Sequence, residues 1–404
     1  MRSVHRDLRR SECPEARSGT LCYHWRGRDV RQFNAEVSIG ARGKDPQGVE
    51  DYSIHFRSDG LALSPADYAR LLARLAENDR IAADEFSRGG VVTQLEERIA
   101  AMLGKEAAVF LPSGTLANHL ALRLLTRRGR RVLVQRESHI YNDAGDCVQE
   151  LSGLTLIPLA PERATFDLAE AAAEVARAEE GRVATPVGAI SIESPVRRVV
   201  GEVFDFTEMQ RIAAFAREQG IGLHLDGARL FLAHPYTGIA PQTYAALFDT
   251  VYVSLYKYLN AGSGAVLAGP CHLLENLYHQ RRLFGGGLRQ AWPYAAVALH
   301  YLDGFGERFG RAAKAADYLF GALQKHGSCE IVRSATATNV TRLRIRGRDA
   351  AGLPERLLEH GVAIRSPLRA SAEGAEFELF TNETILRRPA TETIEAFVKA
   401  LGSE

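Results

Sequence analysis

The sequence predicts an α/β protein with a mainly parallel central sheet, followed by a smaller α+β C-terminal domain. Two observations predict it. Short apolar runs alternate with segments of helical period between residues 107 and 268, the pattern of successive βαβ units. Such alternation implies a mainly parallel sheet covered by helices on both faces. Ser113, His139, Glu193, Asp226 and Lys257 each fall just after one of these runs, where open parallel sheets bind ligands.

Taken in order, residues 1–50 are rich in arginine and glycine without a sustained period and read as an extension: an interface arm, a flexible tail, or a start assigned too early. Ser64 and Pro65 cap and open a helix whose Tyr68, Leu71, Leu72 and Leu75 recur at helical spacing. Strands are expected over 107–111, 131–135, 154–159, 187–192, 222–225, 250–254 and 264–268, with helices over 114–125 and 206–219. Residues 51–300 thus form a large domain. A long helix from about residue 301, strands near 339–345 and 377–381, and further helices make residues 301–404 a small one.

Composition narrows the class of function. Fifty basic residues against 49 acidic ones give a formal charge of +1, so no overall field favours nucleic acid or an anionic membrane. No apolar run approaches the ~18 to 20 residues that span a bilayer. The five cysteines, Cys13, Cys22, Cys147, Cys271 and Cys329, are odd in number and form no C-x-x-C pair. No disulfide framework and no metal site is expected, and a reduced cytoplasm fits. Small-molecule chemistry is what remains.

Four segments carry candidate chemistry. Ser113-Gly114-Thr115 lies between a strand and a helix, where glycine admits an oxyanion and the first helical N–H groups face it; an ordinary N-cap would look the same. Asp226 ends the run Leu223-His224-Leu225-Asp226, and a carboxylate there needs a partner such as a protonated pyridine nitrogen, or else caps the next helix. Lys257 is one of only six lysines, and it sits among apolar and aromatic neighbours. Schiff-base chemistry needs a neutral amine, which desolvation favours. His139 follows Glu137-Ser138, placed to stack on a cofactor ring and to move a proton, or to serve as a plain loop histidine.

At this point the chain resembles the threonine aldolase group of the β-eliminating lyases, enzymes of fold type I that use pyridoxal 5'-phosphate. The residues behind the resemblance are Arg57-Ser58-Asp59, Gly90 to Glu96, Phe110 to Asn118, Glu137-Ser138-His139, Glu193, His224 to Leu230, Ser254 to Lys257, and Arg282 to Ala291. The resemblance implies that Lys257 carries the cofactor as a Schiff base, Asp226 pairs with the pyridine nitrogen, and His139 stacks on the ring. It places Ser113, Gly114 and Thr115 at the phosphate, with Glu193 and Arg229 completing the cofactor site. It also puts Ser58 and Arg229 near the substrate carboxylate or the cofactor phenolate, and implies a homodimer or homotetramer with sites between subunits.

Two departures limit the analogy. Tyr256 stands where the family has serine before the lysine, a phenol able to crowd the site or reach the cofactor. Near the C-terminus the family has Arg-x-Val-Thr-His, whose arginine clamps the substrate carboxylate; the best alignment here gives Glu378-Leu379-Phe380-Thr381-Asn382. Either Arg365 takes over the clamp, the substrate differs, or the alignment is offset by a few residues. Retro-aldol cleavage of a β-hydroxy-α-amino acid to glycine and an aldehyde is therefore the leading expectation. β-Elimination, transaldol or racemisation chemistry is the second, and a cofactor-binding regulatory protein without turnover the third.

Overall fold

The computed structural model describes residues 53–77, 81–347 and 349–402, so the extension expected over residues 1–50 lies outside the described residues. Among the described residues, thirteen strands, β1 to β13, are assigned in chain order. They are Ile54–His55, Ala107–Leu111, Arg131–Gln135, Thr155–Leu159, Val187–Glu193, Gly222–Asp226, Thr250–Ser254, Ala265–Gly269, Cys329–Val332, Val340–Arg346, Val362–Ala363, Arg369–Ala370 and Gly374–Phe380.

Seven of them form the central sheet in the order β2-β8-β7-β6-β5-β3-β4. Strands β7, β6, β5, β3 and β4 run parallel, while β8 runs antiparallel to both of its neighbours. All residues of β5, β7 and β8 are buried, as strands covered on both faces are. Helices Gly90–Leu103, Gly114–Leu125 and Phe206–Gln219 supply apolar faces to this sheet.

Register puts the chemistry on one edge. Glu193 pairs with Asp226 across β5 and β6, and Asp226 with Tyr252 on β7. Ala265 is paired with both Ser254 and Leu111, which brings the end of β2 level with the end of β7. The carboxyl ends of β2, β5, β6 and β7 therefore open onto one side of the sheet.

The C-terminal part holds an antiparallel sheet, β12-β13-β10-β9, against helices Phe305–Leu323 and Ala390–Leu401. The long helix expected from about residue 301 is Phe305–Leu323, and Gly304, left-handed at φ 64°, separates it from the preceding helix Trp292–Leu302. One connection was not expected. Strand β1 pairs with β11, and Phe56 exchanges backbone hydrogen bonds with Ala363 and Phe380. Its ring then packs edge-on against Phe397 at 6.1 Å, so the segment before Asp59 is held by the C-terminal part.

Candidate active site

The site begins at the first turn of helix Gly114–Leu125. Ser113 caps it: its Oγ accepts from the Leu116 N–H at 3.3 Å, leaving the N–H groups of Gly114 and Thr115 without an intrahelical acceptor. A Cβ on Gly114 would lie 2.0 Å from the hydroxyl of the buried Tyr252, so a side chain there would displace that ring. Ser263, in the small-residue run after Lys257, donates to the Pro112 carbonyl at 2.7 Å and ties that run to the same turn.

One turn along the helix, Asn118 Nδ2 donates to Asp226 Oδ2 at 2.6 Å, and the Ala228 N–H donates to Oδ1 at 3.1 Å. Asp226 is buried and is not the cap of the following helix, whose N-cap is Arg229. Behind Asn118 lies His224, with Nε2 2.8 Å from Asn118 Oδ1 and Nδ1 2.9 Å from Thr250 Oγ1. Complete burial pushes the His224 imidazole down to about 4, so it is neutral at ordinary pH.

Glu193 ends β5 beside Asp226. Its two oxygens accept from the backbone N–H groups of His139 at 2.6 Å and Arg197 at 3.0 Å, which ties the His139 turn to the sheet. Burial, and then the neighbouring Asp226, push its carboxyl up to about 7. The His139 ring is half-exposed, with Asp143 3.7 Å from Nδ1. Arg198 in turn holds Asp143 through two hydrogen bonds of 2.6 and 3.1 Å.

Lys257 sits on the turn after β7. Leu255, Tyr258 and Leu259 point into the core, whereas Tyr256 is exposed and Lys257 half-buried. The apolar enclosure expected from its sequence neighbours is absent from the single chain, because the turn sends the apolar side chains inward and the lysine outward. Its Nζ lies 3.3 Å from the Tyr256 hydroxyl and 4.6 Å from that ring's centre.

Arg229 is buried, and its Nε and an Nη both contact one oxygen of Asp59 at 2.9 Å. Asn339 donates to the other oxygen at 2.9 Å. Burial alone would raise the Asp59 carboxyl; Arg229 and Asn339 reverse this and hold it below the usual carboxylate range. Ser58 is half-buried beside this pair, its carbonyl accepting from Asn382 Nδ2 at 2.8 Å. Arg365 lies 4.5 Å over the Phe380 ring with its Nη1 4.0 Å from Glu378. Residues 378 and 380 share one face of β13, so Glu378 and Phe380 together aim this guanidinium.

Sequence patterns signalled Ser113, His139, Glu193, Asp226 and Lys257, but not the role of Asn118 in holding Asp226. Asn118 carried a weak signal, a polar residue on the apolar face of an Ala/Leu-rich helix. Asp59 was legible only as part of Arg57-Ser58-Asp59, and Asn339 carried no signal, because their contact joins residues 280 apart in sequence. The donor set suits a phosphorylated pyridine aldehyde: a helix N-terminus cradle for a dianion, a buried carboxylate for a protonated ring nitrogen, and a primary amine. Among the described residues, no group of three His, Cys, Asp or Glu could hold a metal ion.

A seven-stranded sheet with an aspartate closing β6 and a lysine on the turn after β7 defines an α/β enzyme of the pyridoxal-phosphate class with fold type I. The model of the beta-eliminating lyase family matches residues 56–346, and the chain belongs to that family. It is 32% identical to the low-specificity L-threonine aldolase of Candida albicans over 213 residues, 52% of this chain and 56% of the relative. The match thus spans less than two thirds of that protein. An aldolase of Penicillium aethiopicum is 30% identical over 328 residues, 77% of this chain and 78% of its own. A putative L-allo-threonine aldolase from Listeria monocytogenes superposes with a TM-score of 0.74 at 28% identity, covering 87% of this chain and 97% of its own.

Proposed function

We propose that this chain is a lyase that splits the Cα–Cβ bond of a β-hydroxy-α-amino acid, releasing glycine and an aldehyde. The observation that carries the reading is the shared helix: its open N-terminus and its Asn118 bond to Asp226 lie one turn apart, about 6 Å along the axis. Pyridoxal 5'-phosphate, when bound, supplies an electron sink joined to the substrate amine.

The chain's own groups would do the rest. Gly114 and Thr115 donate backbone N–H groups to the phosphate, with the Ser113 and Thr115 hydroxyls beside them. Asp226 would accept a hydrogen bond from the cofactor's ring nitrogen, and Lys257 would present its amine to the cofactor's aldehyde. His139, fixed through its backbone by Glu193, covers the ring face and takes the proton of the substrate β-hydroxyl. Arg229 is committed to Asp59, so Arg365 binds the substrate carboxylate, with Glu378 and Phe380 orienting it and Ser58 alongside.

In this reading residues 51–300 form the cofactor domain and residues 301–404 the small domain. A homodimer or homotetramer is favoured by the exposed Tyr256 and the half-buried Lys257, which a second copy would shield from water. A reduced cytoplasm is supported by the free thiols of Cys147, Cys271 and Cys329, and no described helix is long and apolar enough to cross a membrane.

The test is product analysis with a set of β-hydroxy amino acids, wild type against Lys257→Ala and Arg365→Leu. Glycine and the matching aldehyde are expected from wild type, with Lys257→Ala losing both activity and the visible absorbance of the bound cofactor. Arg365→Leu should raise KM by about tenfold or more, as loss of a charged bidentate contact does. Pyruvate and ammonia in place of glycine would show β-elimination instead.

A further inference from the structure

Four buried side chains form a line from the middle of the sheet to Asp226: Thr250, His224, Asn118 and Asp226, separated by 2.9, 2.8 and 2.6 Å. All four are almost wholly buried, so the atoms that face one another along the line must be paired donor to acceptor. That requirement fixes the direction of every hydrogen bond. A charged carboxylate only accepts, so Asn118 must turn its amide nitrogen to Asp226 and its oxygen to His224. The oxygen only accepts, so His224 must carry a proton on Nε2. A neutral imidazole then has a bare Nδ1, which the Thr250 hydroxyl satisfies by donating. Flipping the amide would set its oxygen against the carboxylate, and moving the imidazole proton to Nδ1 would set two lone pairs face to face.

We propose that His224, held as its Nε2–H tautomer by Thr250, is a positioning residue that through Asn118 fixes the Asp226 carboxylate for the cofactor's ring nitrogen. The proposal rests on the pyridoxal-phosphate reading of the site. His224 touches neither substrate nor cofactor. Its part is to keep the Asn118 amide from flipping, so that Asp226 Oδ2 keeps one lone pair bonded and presents a fixed direction with the other. Helix Gly114–Leu125 thus acts at both ends of the cofactor, and the two ends are locked in register by a hydrogen bond chain and not by apolar packing alone.

Paired substitutions separate this role from a merely structural one. The side-chain nitrogen of glutamine can overlay His224 Nε2 and donate to Asn118, whereas that of asparagine overlays Nδ1 and cannot. In holoenzyme, His224→Asn should weaken pyridoxal-phosphate affinity about tenfold and shift the pH dependence of the visible band, while His224→Gln stays within about threefold of wild type. Independently, 15N NMR of histidine-labelled protein should show His224 neutral and protonated on Nε2, with the resonance assigned by its absence in His224→Gln. Equal affinities for the two variants, or a proton on Nδ1, would overturn the proposal. If His224→Asn does not fold, the tautomer of the wild-type protein still decides. A wild-type protein that takes up no pyridoxal phosphate would instead overturn the cofactor reading beneath it.

Discussion

At the scale of single residues, Arg229 and Asp59 set the terms of the site. A guanidinium that is 8% exposed facing a carboxylate that is 7% exposed is tolerable only as a pair, because each charge has left water. The two residues are 170 apart in sequence, and Asn339 adds a third strand of chain to the same carboxylate. Truncating Asp59 to alanine leaves Arg229 buried without a counter-charge. Urea unfolding of Asp59→Ala should therefore show a loss of about 3 to 5 kcal/mol, the usual cost of breaking a buried pair from one side. A loss below about 1 kcal/mol would mean that the pair behaves like a surface one. Arg57-Ser58-Asp59 was visible in the sequence as a motif, but its pairing with Arg229 was not, since pattern reveals local periodicity and not contacts across the fold.

At the scale of elements, the loop of residues 56–61 and the turn that bears Lys257 are fitted to each other. The Leu61 N–H donates to Asn260 Oδ1 at 2.6 Å, and the backbone of Gly60 runs against the turn. A Cβ on Gly60 would lie 2.4 Å from the Lys257 carbonyl oxygen and 2.6 Å from Asn260 Oδ1. Gly60→Ala must therefore push the lysine-bearing turn away. A stability loss of about 1 to 3 kcal/mol is expected from such overpacking, with a matching fall in the fraction of chain that retains cofactor. Thermal unfolding and the visible spectrum together check it; a variant unchanged in both would show that the two segments are not in register. Gly60 gave no sequence signal because its backbone is ordinary and only its neighbour demands it. Elements with a period long enough to read, such as helix Gly114–Leu125 and strand Thr250–Ser254, were legible to the residue. The order of strands was not, since a run buried on both faces says nothing about which strand lies beside it. The two-residue strands Ile54–His55 and Val362–Ala363 are too short to show any period.

At the scale of the whole molecule, burial sets two kinds of ionisable group against each other. His119 and His224 are pushed down to about 4, while Glu96 and Glu193 are pushed up to about 7, in each case chiefly by loss of water. Unfolded histidine binds its proton below about 6.5, so between 6.5 and 4 the unfolded chain holds more protons than the folded one at these histidines, and stability falls as pH falls. Unfolded glutamate gives up its proton above about 4.3, so from there to about 7 the folded chain holds more protons at these glutamates, and stability falls as pH rises. The two slopes oppose each other over the shared window, from about 4.5 to 6.5, and the stability of the wild type should be nearly flat there. Glu96→Gln removes one of the two glutamate contributions while keeping an acceptor for the Phe110 N–H, which Glu96 holds at 2.7 Å. Its stability relative to wild type should rise across that window by on the order of 1 to 2 kcal/mol, giving a curve that climbs with pH where the wild type is level. Chemical denaturation at pH steps through the window measures both curves, and parallel curves would show that Glu96 is charged in the folded protein despite its burial.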